Sequence, residues 1–174
     1  MRTIFSLLFL ALAFFLAFLL YKSIEEPIDF NTQRAIRTDA VSAKLEMIRD
    51  AQDLYRDITG VYAHNFDTLK QVLTEGKLLS IKVIGDADAI DGGLVTYDTT
   101  YIPARDTAAS LGIVLDGIEK VPYTGAEYDA PAMNFDIAAK EIEYQSTTVP
   151  VVQVGVKQSA FMGKYGDAKY QRYD

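Results

Sequence analysis

Eighteen consecutive uncharged residues, TIFSLLFLALAFFLAFLL from Thr3 to Leu20, constrain this chain more than any other feature. As a helix the run spans about 27 Å, close to the hydrocarbon thickness of a bilayer. Tyr21 and Lys22 close it with an amphipathic ring and a long cation, which suit a membrane interface. A cleaved signal peptide is the alternative, but its apolar region is usually about 7–15 residues and ends in a small-x-small site. Here Ala11-Leu12-Ala13 falls in mid-run, so residues 1–22 read as a retained anchor that contacts the lipid bilayer through residues 3–20. Arg2 and the α-amino group favour an N-terminus on the cytoplasmic side and an exported C-terminal domain.

The 174-residue chain leaves room for one further domain. With Arg2 and Lys22 set aside, the remainder carries 15 Lys and Arg against 24 Asp and Glu, a balance near −9. Such a surface repels phosphate backbones, and nucleic acid is not an expected partner. The absence of cysteine removes disulfides, thiolate metal sites and cysteine nucleophiles from consideration.

Pro27, within SIEEPIDF, disfavours α conformation at Glu26 and lacks a backbone donor, so residues 23–30 are expected to form a hinge. Asp29 and Asn31 are candidate caps for a second helix. Ile36, Ala40, Met47, Ala51, Leu54 and Ile58, joined by Val41, Leu45, Ile48 and Tyr55, recur at steps of three and four and make a broad apolar stripe. The mixed charges between them read as a solvated face. Gly60 is placed to stop this helix, and Asn65 to cap a short one through Phe66, Leu69, Val72 and Leu73 that ends at Gly76.

The apolar period then shortens. LLSIKVI (78–84), VTYDTTYIP (95–103), IEKVPY (118–123), MNFDIAAKEIEY (133–144) and VPVVQVGV (149–156) are rich in β-formers, with Gln145–Thr148 a connection of hairpin length. One long helix followed by consecutive strands predicts an α+β domain over residues 31–174, the helix laid on an antiparallel sheet. The tail from Lys164, with Tyr165, Tyr170 and Tyr173, reads as a frayed end or an aromatic contact segment.

Ile48, Arg49, Ala51, Gln52 and Tyr55, then Gly60 and Tyr62, then Phe66 and Leu69, form a pattern that resembles the end of the long helix and the following loop in type II secretion pseudopilins and type IV pilins. The resemblance covers about residues 36–73 and implies a pseudopilin-like fold. The Gly-Phe cleavage junction and the early Glu of those families are not found in this sequence, so their processing and mode of polymerisation are not carried over. A second set, DTTYIP at 98–103, VPY at 121–123, FDIAAKEIE at 135–143 and VPV at 149–151, is similar to a group of single-span envelope proteins from Bacteroidetes. That likeness implies an inner-membrane anchor with a periplasmic domain.

Chemical candidates are few. Asp86, Asp88 and Asp91 cluster in the Gly-containing segment GDADAIDGG, where oxygen ligands suit calcium, but the third acid is displaced from EF-hand spacing and a plain acidic turn is the other reading. No other cofactor is expected. His64 stands in a loop with no nucleophile marked beside it, and no carboxylate pair, such as Glu25-Glu26 or Glu141 and Glu143, is set apart from the rest. The expected protein is therefore not an enzyme. Two function classes remain: a structural subunit of a pilus-like or secretion-associated envelope assembly, partnered by other envelope proteins or copies of itself, or a monomeric tethered binding or accessory module.

Overall fold

In the computed structural model, which describes residues 2–84 and 96–165, a single helix α1 runs from Arg2 to Thr59. At 1.5 Å per residue it is about 87 Å long. Residues 4–25 are solvent-exposed, and an 18-residue window reaches a mean hydropathy of 2.7, so α1 is long and apolar enough to cross a membrane.

The helix passes through Pro27, which corrects both the hinge expected over residues 23–30 and the second helix start at Asp29 or Asn31. One interior proline costs about 3 kcal/mol of helix propensity and orphans the carbonyl four residues back. That carbonyl belongs to Ser23, an exposed residue where water can satisfy it. On either side the helix continues for many residues, and Thr32 donates its hydroxyl to the carbonyl of Ile28 at 2.9 Å just beyond the proline.

Val41, Ile48, Ala51, Leu54 and Tyr55 of the expected stripe are buried, joined by Phe30, Gln52 and Arg37, the last of which departs from the solvated face expected for the charges of this helix. Leu45 is half-buried and Ile36 is exposed, so the stripe is narrower than its apolar residues suggest. Gly60 ends α1 at φ +83°, a left-handed conformation that favours glycine, with its amide donating to the Arg56 carbonyl at 2.7 Å. Helix α2 (Phe66–Glu75) opens on Asn65, whose side chain accepts from the Thr68 amide at 2.7 Å, and buries Phe66, Leu69 and Leu73.

The strands depart from expectation in how they associate. β1 (Lys77–Ile84) pairs only with β2 (Thr96–Pro103), and β3 (Asp136–Tyr144) only with β4 (Thr147–Gly155), so the described residues hold two separate antiparallel hairpins instead of one sheet. α1 packs against α2, α3 (Ala104–Ser110), α4 (Gln158–Met162), β1 and the segment carrying Ile113, Ile118, Val121 and Phe135. The strand expected at 118–123 is reduced to a bridge between Lys120 and Asn134, flanked by hydrogen bonds from Val121 to Met133 and from Phe135 to Glu119. Pro122 lacks a donor there and Tyr123 turns to φ +58°, which stops the pairing. Lys70 of α2 binds Glu119 at 3.1 Å. A hydrogen bond from its own backbone amide, with Lys70 as a further favourable partner, holds the Glu119 carboxyl below the usual range. This link stabilises the fold above the ordinary carboxylate pKa and is lost as pH falls through the lowered one.

The β3–β4 turn, Gln145-Ser146, has φ of +48° and +66° and joins Tyr144 directly to Thr147 in register. This two-residue loop with both central φ positive matches the right-handed twist of the strands. Ile137 and Val154 face the core, while Ala138, Lys140, Ile142 and Tyr144 project from the opposite face.

Ile48 is 1% exposed whereas Ile81 is 54% exposed. Ile48→Ala is expected to lower the unfolding free energy by about 2–4 kcal/mol. Ile81→Ala should stay within about 0.5 kcal/mol of the parent. Denaturant titration of the full-length protein in detergent checks the pair.

Candidate interaction surfaces

Residues between Ile48 and Ala63 make a folding joint. Gln52 is fully buried on α1; its side-chain carbonyl accepts from the Ala63 amide at 2.9 Å and its side-chain nitrogen donates to the Ala63 carbonyl at 3.3 Å. One side chain thus satisfies both backbone groups of a buried loop residue, which would otherwise be orphaned. Beside it the Arg56 guanidinium hydrogen-bonds the Tyr62 hydroxyl and stacks 5.2 Å from the Tyr62 ring centre, while Asp53 accepts from that hydroxyl at 3.3 Å. Ile48, Ala51 and Tyr55 fill the core beneath.

A second cluster fastens the C-terminal segment to the membrane-proximal part of the head. The buried guanidinium of Arg37 donates to the Phe161 carbonyl at 2.7 Å and lies 5.2 Å and 5.5 Å from the ring centres of Tyr123 and Tyr165. Tyr128 meets Tyr123 edge-on at 5.2 Å. Gly163 at φ +56° leaves no room for a side chain, since a Cβ there would lie 2.5 Å from the Tyr128 carbonyl oxygen. Arg37 Nε and Thr38 Oγ1 are buried without a hydrogen-bond partner among the described residues. Thr38 borders an open groove of about 590 Å³ between α1 and the β4–α4 junction, shared with Asn31, Arg34, Ser42 and Gln158.

The hairpins supply much of the exposed apolar surface of the head, with Leu111 and Val114 adding to it outside them. Leu79, Ile81, Tyr97 and Tyr101 are exposed, and the register sets Leu79 opposite Tyr101 on one face of β1–β2. Ile142, Tyr144 and Val149 are exposed near the tip of β3–β4. The sequence showed these strands as alternating but not that Leu78, Ile137 and Val154 pack against the core while the opposite faces stay exposed.

Asp86, Asp88 and Asp91, the calcium candidates, lie outside the described residues, as does the tail from residue 166. Among the described residues no group of three His, Asp or Glu side chains is placed to hold a metal. His64 is exposed, and so are Glu141 and Glu143 on β3. No family model, curated protein or solved structure matches the chain.

Gln52→Ala should destabilise the protein by about 2–4 kcal/mol, because it strands the Ala63 amide and carbonyl in a buried place. Amide hydrogen exchange at Ala63 is expected to accelerate in the variant, and unchanged protection there would contradict the clamp.

Proposed function

We propose that this chain is a non-catalytic, membrane-anchored structural subunit of an envelope assembly, held in the inner membrane by α1 with its head in the periplasm. The observation that carries the proposal is the double duty of α1: its first third is apolar and exposed, and its last half supplies the core of the head. An uninterrupted helix of this kind also supports the pilin-like reading of residues 36–73, in which one helix serves as both anchor and spine. A rigid stalk is useful for holding a domain at a fixed height beside its neighbours. The exposed apolar strands then offer surface for protein contacts.

The alternative, a monomeric tethered binding module, draws on one feature, the groove along α1 at Asn31, Arg34, Thr38 and Gln158. It mixes these polar residues with Val41, Leu45 and Phe161 and is open to solvent, a poorer match to a small-molecule site than an enclosed apolar pocket.

Full-length protein in a Gram-negative host should stay with the membrane after alkaline extraction, with residues 1–22 retained by intact mass. Protease added to spheroplasts should remove the head. A protected head, or release from the membrane at alkaline pH, would overturn the anchor and its orientation.

A further inference from the structure

We propose that neighbouring copies of this chain in one membrane join edge to edge, β1 of one copy adding to β3 of the next. This rests on the anchored reading above and names the partner of its exposed strands. Each hairpin has only two strands among the described residues and is supported by packing on the core through Leu78 of β1 and Ile137 of β3. Each also leaves outer strand edges with unpaired backbone groups, a template for another strand.

Charge and backbone chemistry select the edges. β1 carries Lys77 and Lys82 and no acid, whereas β3 carries Asp136, Glu141 and Glu143 against a single Lys140. The rest of the exported part is acidic, so two heads repel each other except where a lysine-bearing edge meets a carboxylate-bearing one. The other edges are less suitable: β4 has Pro150 in mid-strand, which cannot donate, and β2 carries Asp98 and ends at Pro103. Tyr97 at 68% and Tyr144 at 64% exposure add aromatic surface that such pairing would cover.

The anchor supplies the geometry. β1 follows Gly76, which sits beside Ile58 near the membrane-distal end of α1. Gly155 and Val156 of the other hairpin lie beside residues of α1 between Asn31 and Leu45, while Val152 and Val154 lie beside Leu45, Arg49 and Gln52. The β3–β4 hairpin therefore points away from the bilayer, towards the level at which β1 emerges. Copies anchored in one plane present both arms at matching height, and confinement raises their effective concentration. Because the two edges differ, the contact is heterologous and generates a ring or a row.

The chain has no cysteine, so introduced ones report one contact each. Full-length Lys82→Cys and Glu143→Cys variants, mixed in phosphatidylcholine vesicles and mildly oxidised, should form a mixed dimer at least tenfold more readily than either variant alone or than an Asp57→Cys control. Raising the salt concentration should reduce that yield severalfold, because the two edges are matched by charge. Equal cross-linking in single-variant samples, or a yield no greater than the control while the protein remains in the membrane, would overturn the pairing. Loss of the protein from alkaline-washed vesicles would instead overturn the anchor on which it rests.

Discussion

Everything in this structure depends on the continuity of α1 between an apolar segment long enough to cross a membrane and a segment that the rest of the fold covers. Residues 4–20 are exposed around the whole helix, a distribution unstable in water and suited to hydrocarbon. From Phe30 onward one face is buried by α2, α3, α4 and the irregular segment that ends at Phe135. Between Leu20 and Phe30 lies about 15 Å of helix, which separates the apolar segment from the packed one.

The order of contacts along α1 fixes the polarity of the head. Arg37, gripping the Phe161 carbonyl between two tyrosines, ties the C-terminal segment to the membrane-proximal turns. Gln52, bonded twice to Ala63, ties the loop after α1 to the distal turns. With both ends fastened, the intervening core needs no continuous sheet, and the two hairpins are left as arms. The sequence pattern at 48–62 can thus be understood without invoking chemistry: its Gln, Gly and Tyr close a chain reversal against a helix.

Local signals in the sequence were decisive where the physics is local. The Asn65 cap, the Gly60 stop and the stripe through Ile48 and Tyr55 depend on neighbours within a few turns, and each stands as expected. The four strands were also legible from composition and alternation, and the β3–β4 hairpin from its short connection, although 118–123 shares that composition and pairs at only one position. The single sheet was not legible, because alternation says which residues share a face but not which strand lies alongside. Helices α3 and α4 are too short to show a period and were missed. Pro27 misled for another reason: its penalty is real, yet a few kcal/mol does not interrupt a helix that continues for many residues on one side and is held by packing on the other. Of the candidate sites, the lysine and acid content of β1 and β3 was readable from the start, whereas their exposure and open edges needed the fold.

The most direct test of this account is the distance across the proline. Spin labels replacing Tyr21 and Asp39, both exposed, in full-length protein reconstituted in a bilayer are separated by 18 residues of helix. An unbroken α1 predicts a single narrow distribution centred near 27 Å, from a rise of about 1.5 Å per residue. A broad or shorter distribution would show a joint at Pro27 and contradict the rigid coupling of membrane and head.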